Sequence, residues 1–331
     1  MDNDSNKETG AVPKPKLLVT RKIFPEVLER LEQCFEVVSN QADDEWSADE
    51  LRARTADRDA LFVVASDRID RALLDASPKL RIVSTGSVGY NHIDVAACAE
   101  RGIAIGNTPE VLTEATADMA WALLMAAARR VSDSERWLRA GQWQRWAFDQ
   151  FLGTDLYGST LGIIGMGRIG SAVARRARGF DMKLLYSNRS PAANAAELGA
   201  RRVERDTLLA EADHVVLVLP YSAETHHTIG ERELGLMKPT ATLVNIARGG
   251  IVDDEALARV LKRGGIAAAG LDVYENEPAL NPALLDAPGL VMTPHIGSAT
   301  RSSRVGMAML AAENLIAFFE DRPMPARVAT G

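Results

Sequence analysis

The chain has 331 residues, which is long for a single hydrophobic core, so we expect two domains. Its hydrophobic fraction of 47% is typical of a globular protein. Its net charge of −7, with basic and acidic residues interspersed, excludes the basic footprint of a nucleic-acid-binding protein. The cysteines, Cys34 and Cys98, have no metal or redox spacing, and we interpret them as free buried thiols.

The first 15 residues are polar and contain prolines. They lack the apolar segment of a secretory signal, so we predict a disordered tail on a cytoplasmic protein. A longer apolar run, Ala115–Ala128, contains Asp118 and is too short to span a bilayer. We therefore predict a buried core helix there and no membrane association.

The next hundred residues alternate between short apolar runs and helical spacing. Helical spacing covers Pro25–Phe35 and Ile93–Arg101, and the predicted strands are Lys16–Thr20, Phe35–Ser39, Leu61–Val64, Arg81–Ser84 and Ile103–Ile105. This alternation predicts a parallel sheet with helices on its faces, which binds ligands at the carboxyl ends of its strands. Ser87-Val88-Gly89 follows one such end. Two interpretations of it stay open: an ordinary turn, or N–H groups that hold an anion such as a carboxylate.

A helix is predicted after Asn107-Thr108-Pro109, with Thr113 as a possible N-cap. It is apolar on nearly all sides up to Arg129, which indicates total burial. The following stretch concentrates aromatic residues in a chain that is only 5% aromatic: Trp137, Trp143, Trp146, Phe148, Phe151 and Tyr157. A core role and an exposed patch for a partner subunit both remain open for this stretch.

A glycine-rich turn lies between an apolar run and a helical pattern in Thr160–Arg178. In this order of strand, turn and helix, Gly165 allows the tight turn and Gly167 lets a pyrophosphate approach the backbone. Gly170 lets the helix lie close to the strand. The N-terminus of the helix offers unpaired N–H groups and a partial positive charge to phosphates. The stretch predicts a dinucleotide site.

A second series of alternating elements starts at this turn. Its predicted strands are Gly162–Ile164, Lys183–Tyr186, His214–Leu219, Thr242–Asn245, Ala267–Leu271 and Val291–Met292. Strands with interleaved helices predict a doubly wound Rossmann sheet. The chain then closes with one long helical pattern from Ser298 to Glu320.

The end of the second Rossmann strand bears on the choice of cofactor. An NAD site carries an acidic residue here that bonds the ribose 2′-hydroxyl. This chain has Ser187-Asn188-Arg189-Ser190 after Tyr186, without a carboxylate. Asn188, Arg189 and Ser190 are candidates to bind a 2′-phosphate, although Arg189 could also be simply solvated. We therefore predict that NADP(H) is preferred and that NAD(H) can also be used.

Candidate catalytic residues follow three later strands. Reduction of a 2-oxo acid needs a cation for the carboxylate and carbonyl, and an acid for the developing alkoxide. Arg248 suits the first task, because its planar fork matches a carboxylate. His295 suits the second, and a partner such as Glu277 would favour its imidazolium form. A purely structural histidine is the alternative for His295.

The motifs that contain these residues resemble those of the D-2-hydroxyacid dehydrogenase family. They occur in family order as NTPEVLTEATADMAWALLMAAAR, TLGIIGMGRIG, NIARGGIVDDEAL, GLDVYENEP and PHIGSAT. The resemblance implies that Arg248, Glu277 and His295 are catalytic, with His295 as proton donor. It selects Glu277 rather than Glu275, because the family pattern places the glutamate directly before the proline.

The resemblance also implies the binding residues. It assigns the substrate to Ser87, Val88 and Gly89 together with Arg248 and His295, and it expects Asp272 near the nicotinamide carboxamide. The implied cofactor contacts are Gly165, Gly167, Arg168, Ile169, Gly170, Asn188, Arg189, Ser190, Pro220, Thr225, Ile246, Ala247, Arg248, Asp272, His295 and Gly297.

The family architecture implies a fold of two doubly wound parallel-sheet domains. A Rossmann NADP-binding domain, residues 108–296, is inserted in a flavodoxin-like substrate domain made of residues 16–107 and 297–331. A homodimer through the nucleotide domains is also implied. Our hypothesis for the aromatic segment Trp137–Tyr157 is that it reaches the partner's substrate pocket in such a dimer.

Within the family, SVGYNHID, LPYSAETHHTIG and HIGSAT followed by RVGMA are most similar to glyoxylate/hydroxypyruvate reductases that also reduce 2-ketogluconate. We expect a small 2-oxo acid as substrate, with another D-2-hydroxyacid specificity or a non-catalytic, cofactor-sensing protein as alternatives. His226 and His227 suggest a metal, but neighbouring loop residues are poor joint ligands and the family uses none. We therefore expect no metal.

Overall fold

The computed structural model describes residues 13–329, which divide into two compact units. The first unit contains the chain up to Pro109 and again from Val305, and the second is Glu110–Arg304. Residues 1–12 of the predicted tail lie outside the described residues. Residues 13–15 do not belong to a free tail, because the Pro15 carbonyl accepts a hydrogen bond from the N–H of Glu36 at 2.9 Å.

The first unit is a parallel five-stranded sheet with the strand order β2-β1-β3-β4-β5. Its strands are β1 (Lys16–Val19), β2 (Glu36–Ser39), β3 (Ala60–Val63), β4 (Ile82–Thr85) and β5 (Ala104–Gly106). Its helices are α1 (Pro25–Cys34), α2 (Ala48–Thr55), α3 (Arg71–Asp75) and α4 (Val95–Glu100). This order is that of the doubly wound flavodoxin-like fold, as predicted.

Side-chain caps explain why several of these helices begin where they do. Ser47 forms a capping box with Glu50 at the start of α2. Asp70 and Asp94 accept backbone N–H bonds at the starts of α3 and α4. The strands are apolar, and separate clusters of buried side chains line the two faces of the sheet.

The second unit is a parallel seven-stranded sheet with the order β12-β11-β10-β9-β6-β7-β8. Its strands are β6 (Thr160–Ile164), β7 (Lys183–Ser187), β8 (Ala200–Arg202), β9 (His214–Leu217), β10 (Thr242–Asn245), β11 (Ala268–Leu271) and β12 (Leu290–Met292). This is the Rossmann order extended by one strand. The order reverses direction between β6 and β9, and the carboxyl ends of both strands lie beside the glycine turn.

Helices cover both faces of this sheet. They are α5 (Thr113–Ala128), α6 (Val131–Arg139), α7 (Arg168–Ala177), α8 (Ala195–Leu198), α9 (Arg205–Glu211), α10 (Glu231–Leu236), α11 (Asp254–Lys262) and α12 (Pro282–Leu285), and a 3₁₀ turn spans Arg178–Phe180. The last helix, α13 (Arg301–Phe319), begins in the second unit and continues in the first. No helix within residues 13–329 is both long and apolar enough to cross a membrane.

Several predicted boundaries were wrong. The sheet contains β8, which the sequence analysis missed because this three-residue edge strand is polar and mostly exposed. The strand predicted to run to Leu219 ends at Leu217, because its neighbour β6 ends at the paired residue Ile164. Thr113 is the first residue of α5, whose N-cap position is Leu112.

The division between the units also differs from the expected one. The first boundary follows Pro109 rather than Asn107, and the second follows Arg304 rather than Ile296. The segment that starts at Gly297 stays with the second unit because the N–H of Gly297 donates to Asp272 at 2.7 Å. Thr300 then accepts the N–H of Ser303 at the start of α13.

Burial corrects two further expectations. Helix α5 is not buried on all sides, since Met125 is 40% exposed. Cys98 is buried as predicted, but Cys34 is only half-buried. The aromatic segment is not core: its large exposed side chains are Trp143, Trp146, Phe148 and Tyr157. The core role is therefore wrong for these side chains, and their use as a patch for a partner subunit stays a prediction.

Candidate active site

The glycine turn that connects β6 to α7 has the geometry expected of a phosphate-binding turn. Gly165 has φ +100°, and a Cβ there would lie 2.5 Å from the carbonyl oxygen of Val218. A Cβ on Gly170 would lie 2.4 Å from the carbonyl oxygen of Gly165, so only glycine lets helix and strand approach this closely. The space where the Cβ of Gly167 would point is open. Helix α7 starts directly after it and presents its N-terminus there.

Asn188 has a structural task that the sequence did not indicate. Its side-chain oxygen accepts the N–H of Met166 at 2.7 Å, and its amide nitrogen donates to the Met166 carbonyl at 3.3 Å. Asn188 therefore ties the end of β7 to the middle of the glycine turn. Its side chain is occupied within the protein, which leaves the exposed Arg189 and Ser190 as the candidates for a 2′-phosphate.

Arg202, on the edge strand β8, holds this same loop from the other side. Its guanidinium donates to the carbonyl oxygens of Asn188 and Arg189, both at 2.9 Å. Hydrogen bonds to two successive carbonyls fix the backbone from which the Arg189 side chain projects. The sequence analysis missed Arg202 because it missed the strand that carries it.

Arg248 lies at the carboxyl end of β10, in a turn that Asn245 organises. The Asn245 side chain donates to the Arg248 carbonyl at 3.1 Å and accepts the N–H of Ala247 at 3.0 Å. Arg248 is half-buried and donates to the Ala247 carbonyl at 2.8 Å. Desolvation lowers its pKa, and the nearby Glu277 carboxylate opposes that shift. Because an arginine stays protonated in proteins, the result is a cation that water screens weakly.

Glu277 and His295 form a hydrogen-bonded pair in the loops after β11 and β12. The His295 Nδ1 and the Glu277 Oε2 lie 2.7 Å apart, and the other Glu277 oxygen accepts the N–H of Tyr274 at 2.7 Å. Burial would raise the pKa of Glu277, but the bonds from His295 and Tyr274 and the nearby Arg248 outweigh it and lower the pKa. An ionised Glu277 therefore holds Nδ1–H of His295, which leaves Nε2 for a substrate.

Asp272 positions the turn that carries His295. This carboxylate is 2% exposed and accepts the N–H groups of Ile296 at 2.8 Å and Gly297 at 2.7 Å, and the hydroxyl of Thr293 at 2.7 Å. His295 itself has φ +52°, a left-handed conformation that a non-glycine residue adopts at some cost. The hydrogen bonds to Asp272 keep the turn in that conformation. These three bonds all fix the turn, and the place of Asp272 beside a nicotinamide stays a prediction.

The remaining predicted cofactor residues lie around the same edge of the sheet. Thr225 accepts the N–H of Ser222 at 2.7 Å and donates to the Pro220 carbonyl at 2.9 Å. These two hydrogen bonds fix the conformation of the loop after β9. Arg168 is exposed at the start of α7, with Glu110 at 3.3 Å, and the neighbouring Ile169 is half-buried. Ile246 and Ala247 are buried in the turn before Arg248.

The Ser87-Val88-Gly89 turn belongs to the first unit. Its three carbonyl oxygens all accept hydrogen bonds, from Thr108 at 3.0 Å, Asn107 at 2.9 Å and the Ser87 hydroxyl at 2.7 Å. With its carbonyls held by protein donors, the turn has a defined conformation. Its use for a carboxylate stays a prediction.

Tyr274 is another residue that sequence reasoning missed. Its hydroxyl lies 2.9 Å from the carbonyls of Leu271 and Thr293, so it joins the ends of the two strands that precede Glu277 and His295. Desolvation raises its pKa, which keeps the phenol protonated and a donor. Its only sequence signal was its place in the DVYENEP motif.

The arrangement fits a dinucleotide cofactor and a carbonyl reduction. The open space at Gly167, the N-terminus of α7 and the cationic Arg189 would hold the phosphates of a dinucleotide. At the carboxyl ends of β10, β11 and β12, Arg248 is a cation for a carboxylate or carbonyl oxygen. The His295–Glu277 pair can donate a proton to a substrate oxygen and take one back.

Comparisons with known proteins agree with this site. Residues 121–297, more than half of the chain, match the family model described as D-isomer specific 2-hydroxyacid dehydrogenase, NAD binding domain. The chain is 50% identical to the glyoxylate reductase of Thermococcus onnurineus (strain NA1) over 310 residues, covering 92% of this chain and 93% of that protein.

Solved structures are similar over nearly the whole chain. One is the TT0316 protein of Thermus thermophilus, with a TM-score of 0.88, 43% identity and coverage of 95% of this chain and 100% of that one. Another is the NADPH-dependent glyoxylate/hydroxypyruvate reductase of Sinorhizobium meliloti, in complex with NADP and malonate, with a TM-score of 0.85 and 37% identity. It covers 96% of this chain and 97% of that one. The chain is thus an oxidoreductase with a nicotinamide-cofactor-binding domain, and it belongs to the D-isomer-specific 2-hydroxyacid dehydrogenase family.

Proposed function

We propose that the protein reduces small 2-oxo acids to D-2-hydroxy acids with NADPH. Glyoxylate and hydroxypyruvate are the proposed substrates, and 2-ketogluconate is a further candidate. The observation that carries the proposal is the His295–Glu277 pair, at 2.7 Å, in the same sheet edge as Arg248 and the glycine turn. The similarity to proteins named as glyoxylate and hydroxypyruvate reductases supports it.

Arg248 binds and polarises the substrate in this mechanism. Its guanidinium donates to the carboxylate and to the carbonyl oxygen of the 2-oxo acid, and it stabilises the negative charge that develops on that oxygen. Asn245 keeps the backbone of the turn in place while this charge develops. When bound, the reduced nicotinamide supplies the hydride to the carbonyl carbon.

His295 supplies the proton. Its Nε2–H donates to the carbonyl oxygen and transfers the proton as the oxygen becomes an alkoxide. Glu277 accepts Nδ1–H, which orients the ring and leaves Nε2 to act on the substrate. Asp272 is a positioning residue, since it holds the backbone of the His295 turn.

The preference for NADPH follows from the end of β7. The chain has no carboxylate in Ser187-Asn188-Arg189-Ser190 that would repel a 2′-phosphate. Arg189 and Ser190 are exposed there, and Arg202 holds the backbone beneath them. A guanidinium and a hydroxyl are suitable donors for a phosphate dianion.

A kinetic panel tests the proposal. NADPH oxidation is followed by absorbance with glyoxylate, hydroxypyruvate and 2-ketogluconate, and the same substrates are measured with NADH. We expect the higher kcat/KM with NADPH, and Arg189→Ala should raise the KM for NADPH but not that for NADH. Arg248→Ala should lower kcat/KM by about 10²–10³-fold.

A matched control separates these effects from a loss of positive charge in general. Arg263→Ala removes an exposed arginine that pairs with Glu231 on the surface, and it should leave every kinetic constant unchanged. A kcat/KM that Arg248→Ala leaves unchanged would contradict the mechanism. A clear preference for NADH would contradict the cofactor assignment alone.

A further inference from the structure

A cluster of two histidines and a glutamate lies beside the candidate active site and takes no part in the mechanism above. One ring nitrogen each of His226 and His227 and one carboxylate oxygen of Glu275 lie within 4.8 Å of one another. In the sequence only the adjacent histidines suggested a metal, and two neighbours alone are poor joint ligands. The fold adds Glu275, which is far from them in the chain and hydrogen-bonds to the His227 Nε2.

We propose that His226, His227 and Glu275 form a binding site for Zn²⁺ or a similar divalent transition metal ion. Two imidazoles and one carboxylate are a common donor set for zinc, which leaves its fourth position to water. At zinc–ligand distances of about 2.0–2.1 Å, tetrahedral ligand atoms lie roughly 3.3 Å apart. The His226 and His227 rings are stacked with their centroids 3.9 Å apart and 22° between planes, so their lone pairs run nearly parallel. The two exposed side chains must therefore rotate before both nitrogens face one ion.

The groups around the cluster hold its ligands in place. The His227 N–H donates to the Gly250 carbonyl at 2.7 Å, and the Glu275 N–H donates to the Asp254 carboxylate at 3.0 Å. The Tyr221 hydroxyl lies 3.3 Å from the Nδ1 of His226, which leaves Nε2 of that ring for the metal. These hydrogen bonds therefore fix the backbone of both ligand segments without a metal ion.

A further carboxylate, that of Asp253, lies near the cluster. The Asp253 Oδ2 lies 4.0 Å from the His227 Nδ1, whereas Glu275 bonds to the other ring nitrogen. Histidine ligands of zinc commonly donate their second N–H to a carboxylate. At 4.0 Å the Asp253–His227 contact is too long for a hydrogen bond, so Asp253 would have to move closer to take that role. Both histidines are exposed and Glu275 is half-buried, so an ion can enter from solvent.

Titration of the purified full-length protein with ZnCl₂ against a chromophoric chelator tests the site. We expect one Zn²⁺ per chain whose affinity falls at least about tenfold in each of His226→Asn, His227→Asn and Glu275→Gln, since even the loss of an outer partner costs about 10–100-fold. ZnCl₂ should also raise the Tm of the wild type but not that of Glu275→Gln, because an ion that binds the folded state stabilises it.

Two variants serve as matched controls. His295→Asn removes a histidine of the same unit outside the cluster, and Glu255→Gln removes an exposed carboxylate of α11; both should bind Zn²⁺ like the wild type. Each variant's Tm without metal shows that it is folded. Unchanged affinity in any of the three ligand variants, or binding that is lost with His295→Asn, would overturn the proposed site. The titration needs no cofactor or 2-oxo acid, so its result is independent of the proposed function.

Discussion

Asp254 carries a carboxyl group that is buried at the start of α11, and its ionisation makes the stability of the protein depend on pH. The residue is 1% exposed, and burial raises its pKa to about 6, although the N–H of Glu275 opposes this shift. Because the pKa in the folded state lies above the ordinary value of 3.8, folding favours the protonated form. Its contribution to stability is therefore fully present below pH 3.8 and is lost as the pH rises through about 6.

We predict that Asp254→Asn stabilises the protein at alkaline pH. The pKa shift corresponds to about 3 kcal/mol of stability lost on ionisation, and the start of a helix returns about 0.5 kcal/mol to the carboxylate. The variant should gain roughly 2 kcal/mol at pH 8 and almost nothing at pH 4, because the wild-type carboxyl is protonated there. Urea unfolding of both proteins at the two pH values measures the difference. A gain of equal size at both would show that ionisation is not its cause.

At the residue scale, the sequence indicated candidate catalytic residues more readily than the residues that position them. Arg248, Glu277 and His295 stand in motifs, and the structure brings the pair Glu277 and His295 into a hydrogen bond. Arg202 stands in no such motif, and the motif that contains Asn245 does not reveal its task, because each residue acts by bonding the backbone of a turn. Which backbone group a side chain reaches depends on how the strands are arranged, and a motif does not contain that information.

At the scale of elements, the β6–turn–α7 unit uses its glycines for two different reasons. At Gly165 and Gly170 a side chain would collide with backbone of the protein itself. At Gly167 a Cβ would meet nothing within 4 Å and φ is negative, although ψ of −150° lies at the margin of the extended region. Contact with the rest of the protein therefore does not account for the missing side chain at Gly167, and we propose that a pyrophosphate approaches the backbone there.

Alanine at two of these glycines should therefore have opposite effects. Gly165→Ala should lower the stability by about 1–3 kcal/mol, because a left-handed residue is strained and its Cβ collides with Val218. Gly167→Ala should change the stability by less than about 0.5 kcal/mol, as other open positions do. It should nevertheless weaken NADPH binding, because its methyl group lies where the phosphates approach.

Thermal unfolding and titration of NADPH fluorescence measure the two effects separately. Gly179→Ala is a control, since that glycine also has open space around it but lies after α7, away from the turn. Gly167→Ala with wild-type cofactor affinity would remove the turn from the proposed cofactor site.

At the scale of the whole molecule, contacts within a single chain do not explain why the aromatic segment Trp137–Tyr157 exposes large apolar side chains. Phe148 is 89% exposed and Trp146 is 65% exposed, and their rings contact each other edge to face at 4.5 Å. Helix α6, just before them, has no buried residue. Large exposed aromatic side chains of this kind are typical of protein interfaces. We propose that this segment contributes to a homodimer.

We predict that Trp146→Ala and Phe148→Ala each weaken dimerisation and raise the KM for the 2-oxo acid. The first effect would follow from lost apolar contact with a second copy. The second would follow if the segment borders the partner's substrate site. Light scattering after size-exclusion chromatography and steady-state kinetics measure them. Leu285→Ala, an exposed apolar residue outside this segment, is the control. A wild type that is monomeric at micromolar concentration would contradict the predicted dimer. A KM that both variants leave unchanged for every substrate would contradict the predicted place beside the partner's substrate site.

From the sequence one can read the alternation of strands and helices, the glycine turn and the identity of Arg248, Glu277 and His295, because these signals are local in the chain. What several polar residues contact depends on the tertiary structure. It ties Asn188 to Met166, Asp272 to the turn of His295, and Glu275 to His227. Such contacts join segments from different strands, so they exist only once the parallel order of the sheet has brought the strand ends together.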